Sequence, residues 1–277
     1  MAKKKIRISS IVCVVLCLLV AFIALAPIVW MFFGSFKNKR EILATPLRLL
    51  PTNWTGQNYD TVLGAEAAVY TRSILMTLAV SATAVVLSLF ICMMAAYVFA
   101  RLKLPGKKFF WGYCLTTMYI PGVTIMLTSF LVVFYLNMLD TFWVLVLPGL
   151  VSGYNIFFFR QFFLSMPTSI EEAALMDGCG RFRTFLYIFI PLSKAPMVVL
   201  GANVFIAYWN SYLWPSMTIT QPEYMQIMQI IRSYSTMFTT DYGPMMAATL
   251  IAIIPPIALF FVFQKQIVKG IVLTGLK

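Results

Sequence analysis

The chain has 277 residues, 61% of them hydrophobic and 11% charged, with a mean hydropathy of +0.88 and a formal charge of +12. A soluble domain carries about 25% charged residues because its surface faces water, so this composition places the chain in a bilayer and excludes a water-soluble enzyme. Histidine is absent, which removes mechanisms that need imidazole as base, proton shuttle or metal ligand, a membrane zinc protease or His-dependent acyltransferase among them.

A helix needs about 20 apolar residues to cross roughly 30 Å of hydrocarbon. Six segments qualify: 8–33, 73–100, 109–136, 141–159, 195–214 and 244–263. The first resembles a signal peptide, with a basic start and Ala24-Leu25-Ala26, but its apolar run continues to Phe33 and Pro27 follows the would-be cleavage site. It is therefore expected to be a retained span. The outer segment 34–72, with Pro46, Pro51, Asn53, Trp54, Gly56 and Asn58, reads as a turn-rich cap. Pro121-Gly122, Pro148-Gly149 and Pro255-Pro256 interrupt the third, fourth and sixth spans, as kinks or as ordinary packing bends. Cys13, Cys17, Cys92 and Cys114 sit in apolar runs as small hydrophobes, and Cys179 lies in a polar loop. No disulfide framework, cofactor or metal site is expected.

An even span count puts both termini on one side. That side holds Lys3, Lys4, Lys5, Arg7, Arg101, Lys103, Lys107, Lys108, Arg160, Arg181, Arg183, Lys194, Lys265, Lys269 and Lys277, fifteen cations against Glu171, Glu172 and Asp177. The other side holds Lys37, Lys39, Arg40, Arg48, Arg72 and Arg232 against six acids, and sums to zero. The positive-inside rule makes the first side cytoplasmic, although Lys37, Lys39 and Arg40 follow the first span closely on the outer side.

All nine acids fall outside the apolar runs, and no G-x-x-x-x-G-K-[ST] occurs. A proton-coupled carrier places acids inside the bundle, and an ATPase needs a phosphate loop, so a pump built on this chain takes its energy from another polypeptide. A secondary carrier acting alone and a non-transporting membrane scaffold or receptor subunit are the other classes.

Ser165 through Gly180 is the most informative stretch. Thr168 with Glu171, or Ser169 with Glu172, has capping-box spacing, and Gly178 is a C-terminal stop, which predicts a helix of about two turns over 170–177. Ile170, Ala173, Ala174 and Asp177 share one face at i, i+3, i+4, i+7 spacing. A small-faced helix with acids at its start fits a partner's groove or lies on the membrane surface.

Glu172-Ala173-Ala174, three residues, Gly178, nine residues, Ile188, one residue and Ile190-Pro191 resemble the EAA loop, E-A-A-x3-G-x9-I-x-L-P, of importer-type ABC transporter permeases, with Ile190 in place of Leu. Ser35-Phe36-Lys37, Ala95-Ala96-Tyr97, Arg101 through Gly106, Trp209-Asn210 and Gly270 through Lys277 resemble the carbohydrate branch of that family, the maltose and oligosaccharide uptake systems. The resemblance covers nearly the whole chain. It implies an all-α integral membrane protein, one six-span permease domain over 1–277 with a cytoplasmic coupling loop at 165–191. It implies a heterodimer with a homologous second permease, two ATP-binding-cassette ATPase subunits inside, an extracytoplasmic sugar-binding protein, and a place in a bacterial cytoplasmic membrane. Glu171, Glu172, Ala173, Ala174, Asp177 and Gly178 would then couple to the ATPase. For the sugar pathway, Asn155 in the fourth span and Asn203, Tyr208, Trp209 and Asn210 in the fifth offer hydroxyl partners and flat apolar faces. Interhelical hydrogen bonding explains the asparagines, and an interfacial aromatic belt with Tyr212 and Trp214 the rings, equally well.

Overall fold

The structure, a computed structural model, describes residues 8–236 and 239–275; Lys3, Lys4, Lys5, Arg7, Leu276 and Lys277 lie outside the described residues. The described chain is almost wholly helical and falls into two compact units.

The first unit takes the chain up to Tyr70 together with Ile230–Ile254. Its helix Ile8–Gly34 is apolar on every side, with Leu18 and Phe22 65% and 77% exposed. Such a helix has no polar face to offer water and is solvated by lipid. Past Gly34 the chain closes a small aromatic cap, in which the Phe36 ring lies 5.5 Å from Trp54 and 5.1 Å from Tyr59. Two of the three cations that follow the first span, Lys37 and Lys39, are engaged here. Lys37 is 2% exposed, donates to the Arg48 carbonyl and sits 4.8 Å over the Trp30 ring. Lys39 pairs with Asp241 at 2.5 Å.

The second unit takes Thr71–Gln229 together with the chain from Pro255. Most of the 35-residue helix Ala67–Arg101 belongs to it. At 1.5 Å per residue the helix is about 52 Å long, more than the hydrocarbon thickness. Two apolar clusters line it. Val80 and Ala84 meet Val133, Val144 and Val204, and Leu89, Met93 and Tyr97 meet Phe159, Phe163, Phe185 and Phe189. The Tyr97 and Phe163 rings lie 4.9 and 5.2 Å from that of Phe189.

Three helices are long and apolar enough to cross a membrane alone: Ile11–Gly34, Ala67–Arg101 and Tyr242–Gln266. Three further pairs reach that length only together and are sharply bent: Lys107–Tyr119 with Gly122–Tyr135 by 104°, Phe142–Gly149 with Gly153–Ser165 by 52°, and Arg181–Leu192 with Lys194–Trp209 by 81°. The first two bends fall at Pro121-Gly122 and just after Pro148-Gly149, where proline withholds an amide and its ring blocks the helix. Side chains bond the carbonyls near the breaks. Thr116, Thr117 and Thr124 donate to the carbonyls of Tyr113, Cys114 and Pro121 at 2.7, 2.7 and 2.6 Å. The third break, at Ser193, was not anticipated; its hydroxyl donates to the Phe189 carbonyl at 2.6 Å. Pro255-Pro256 opens the helix Ile254–Gly275, where missing amides cost nothing.

The cap also fixes Gly243. A Cβ there would lie 2.3 Å from Asn58 Oδ1, and Asn58 Nδ2 is held by the carbonyls of Ser35 and Lys37 at 2.7 and 2.9 Å. Gly243→Ala should therefore cost about 1–3 kcal/mol as these buried bonds are lost. The purified protein in detergent should melt earlier, whereas Gly64→Ala, which meets nothing within 4 Å, should leave the melting temperature in place.

Candidate coupling and translocation site

The helix Thr168–Met176 starts after Pro167, whose φ of −58° and ψ of 139° mark an extended entry. No side chain caps it, which corrects the expected capping box. Glu171 is used elsewhere: one oxygen accepts from Arg181 and the other lies 4.0 Å from Arg101 Nε. A carboxylate with a side chain only 9% exposed needs cations more than the helix amides need a cap. The other end is as expected. Gly178 has a φ of +77°, the Gly178 amide donates to the Leu175 carbonyl at 3.1 Å and the Cys179 amide to that of Ala174 at 2.9 Å. Those two bonds form a Schellman turn, and its left-handed residue favours glycine.

The expected face of Ile170, Ala173, Ala174 and Asp177 is divided. Ala174 and Glu171 are buried within the chain, while Glu172, Ala173, Asp177 and Gly178 are exposed. Met176 joins them at 88% exposure. Sequence reading passed over Met176, and it missed Arg101 and Arg181 as partners of Glu171, because separations of 70 and 10 residues carry no local signal.

The fifth-span candidates also divide. Asn203, Ile206, Ala207 and Asn210 form one exposed stripe of the helix Lys194–Trp209. Trp209 is buried, stacked on Phe205 at 5.5 Å and 16°. The helix stops there, with Asn210 as its cap, and a separate helix Leu213–Thr218 follows. Asn155 is buried in the first turn of Gly153–Ser165, where its amide donates to Ser152 Oγ.

Tyr208 lines a cavity of about 350 Å³ together with Ser129, Gly149, Ser211, Trp214 and Gln226; Asn155, Asn203, Trp209 and Asn210 do not. The Tyr208 hydroxyl and Trp214 Nε1 donate to the carbonyls of Val146 and Val144, each at 2.9 Å, so their rings are fixed as walls. Gln226 is 1% exposed and its Oε1 has no hydrogen-bond partner. None of the lining residues is Asp, Glu, Lys or Arg.

Asp140 fixes the end of the wall that follows Trp214. Its amide donates to the Thr218 carbonyl at 3.0 Å, and its carboxylate accepts from the amides of Thr220 and Gln221 at 2.5 and 2.8 Å. These donors, Gln221 first, hold the carboxyl below its usual range. A lowered folded value means that the carboxylate's contribution is present above the ordinary carboxylate range and lost as pH falls through the lowered value. Amide hydrogen exchange at Thr220 and Gln221 should accordingly stay slow down through the ordinary carboxylate range and accelerate only below it. Asp140→Asn should exchange fast at neutral pH.

Residues 88–272 match the family described as binding-protein-dependent transport system inner membrane component. The arabinooligosaccharides transport system permease protein of Halalkalibacterium halodurans is 27% identical over 93% of this chain and 93% of its own. The diacetylchitobiose uptake system permease protein of Streptomyces coelicolor is 29% identical over 92% and 85%. The sn-glycerol-3-phosphate transport system permease protein of Escherichia coli O6:H1 is 29% identical over 90% and 91%. In fold, the chain is similar to one from a bacterial ABC transporter involved in import of the acidic polysaccharide alginate, with a TM-score of 0.81, 24% identity and coverage of 96% and 98%. The chain belongs to the family of binding-protein-dependent transport system inner membrane components. It is a multi-pass importer permease of the cytoplasmic membrane that works with a partner permease, an ATPase and a substrate-binding protein.

Proposed function

We propose that this subunit passes a neutral sugar or oligosaccharide, delivered by an extracytoplasmic binding protein, and takes its energy from two separate ATPase subunits docked on the helix Thr168–Met176. The carrying observation is the division of that helix, with Glu171 and Ala174 buried in the chain and Glu172, Ala173, Met176 and Asp177 presented outward. A side chain 88% exposed and apolar, flanked by acids, suits a groove with a basic rim. Six spans are counted by taking each bent pair as one, with both termini cytoplasmic, which places this loop where an ATPase can meet it. The chain supplies no ATP site of its own, and a homologous second permease completes the pore across from the stripe of Asn203, Ile206, Ala207 and Asn210.

The substrates named for the relatives and the structural neighbour divide into neutral oligosaccharides and anions, a phosphate ester and the acidic polysaccharide alginate. The cavity favours the first group here. Its rings and its hydroxyl and amide groups suit a pyranose, and it lacks the cation that a phosphate needs once desolvated.

Glu172→Lys opposes the basic rim and Gly178→Arg strains the turn that ends the helix. Each variant should insert normally yet lose transport and substrate-stimulated ATP hydrolysis together in proteoliposomes carrying the complete transporter. Charge reversal on the ATPase should partly rescue Glu172→Lys and leave Gly178→Arg inactive. A single cysteine at Ser169 should be labelled only from the cytoplasmic side; labelling from outside would sink the topology and the docking reading with it.

The cavity is tested by filling it. Ala207 also lines the cavity, and Ala207→Trp should leave the complex assembled and lower sugar uptake about tenfold or more, because a second indole occupies the space the ring needs. Uptake at the wild-type rate would place the sugar path elsewhere.

A further inference from the structure

We infer that Arg101 is a positioning residue for coupling, which clamps the helices Ala67–Arg101, Gly153–Ser165 and Thr168–Met176 into one rigid block. The inference rests on the docking reading above and assigns the route by which a push on the exposed helix reaches the spans.

The Arg101 side chain is 6% exposed and works on three sides. Nη2 donates to the carbonyls of Phe163 and Met166 at 2.5 and 2.7 Å, groups left open where Gly153–Ser165 ends. Nε stands 4.0 Å from Glu171 Oε2 and has no hydrogen-bond partner, so a shift of about 1 Å in the short helix brings it into bonding range. The guanidinium carbon lies 5.3 Å from the centre of the Phe189 ring, which also packs on Tyr97 and Phe163. Arg181 holds the other Glu171 oxygen from the solvent side.

A planar fork of donors can hold two carbonyls with one amino group, Nη2, and still turn Nε toward a carboxylate; an ammonium is a point charge that must choose. Arg101 is also the last residue of its helix, so its backbone belongs to the span and its side chain to the loop. The buried carboxylate cannot leave without abandoning two cations, and the block therefore moves as a body or not at all.

The test uses the complete transporter, with both permeases, the ATPase subunits and the binding protein, native cysteines replaced by alanine, and spin labels at Met94 and Ser169. Met94 lies on the long helix, partly exposed, and Ser169 lies exposed on the short one. In the otherwise wild-type protein the distance between the labels should agree within about 2 Å between nucleotide-free and nucleotide-trapped states. In Arg101→Lys the distribution should broaden on trapping, and the sugar moved per ATP hydrolysed should fall about tenfold. A wild-type change above about 5 Å would overturn the inference even if every Arg101 variant failed to assemble. Arg101→Lys working at the wild-type coupling ratio would overturn it as well. If Glu172→Lys abolishes transport while Arg101→Lys does not, the clamp alone is wrong; if Glu172→Lys transports normally, the docking reading fails first.

Discussion

Hydrocarbon offers a backbone no water, so each amide and carbonyl in a span must find its partner inside the protein. That constraint accounts for the helical fold and also for the form of its exceptions. Where proline or a short extended step interrupts a span, a hydroxyl stands nearby and bonds a carbonyl, as Thr116, Thr117, Thr124 and Ser193 do. The bends of 104° and 81° both carry such bonds at their breaks. The cavity walled by Tyr208 and Trp214 obeys the same rule, since both rings spend their donors on carbonyls of the broken segment Phe142–Gly149.

Charge is subject to a stricter version of the constraint. An unpaired ion in a low-dielectric interior costs several kcal/mol, and each buried charge described above is engaged on more than one side. Lys37 has a carbonyl and an indole face; Glu171 has two guanidinium groups; Arg101 has two carbonyls, a carboxylate and a ring. These are also the places where the chain turns from a span into a loop, so the buried ions fix the joints of the molecule.

The long apolar helices Ile11–Gly34, Ala67–Arg101 and Tyr242–Gln266 were legible because hydrophobic run length is a local property, and so was the turn at Gly178, whose left-handed φ follows from a glycine at a helix end. The fate of Glu171 was not. The residues Thr168 and Glu171 have the spacing of a capping box, and a local reading assigns the carboxylate to the helix amides; Arg101 and Arg181 take it through the tertiary fold. Tyr208 could be picked as a pathway residue from its type, but Ser129, Trp214 and Gln226 reach the same cavity from segments up to 97 residues apart, beyond any periodicity. Trp209 shows the converse: an aromatic beside an asparagine invites a binding role, and one position on the helix decides that it stacks in the core on Phe205.

A carrier driven by a proton or cation gradient needs an acid or a charged group where the substrate passes, and the wall of the cavity proposed for the sugar holds no Asp, Glu, Lys or Arg. A sugar path without charge would offer a gradient no handle, which agrees with the proposal that force enters from outside the bilayer. On that proposal the Thr168–Met176 helix is the place of entry, because its outward side chains are exposed while Glu171 among its buried ones is tied to the span end at Arg101. On the proposed reading, a neutral path and an ion-paired joint are thus two results of one segregation of charge: ions are withheld from the route of the solute, which keeps its hydroxyl and amide groups, and concentrated where mechanical stiffness is required.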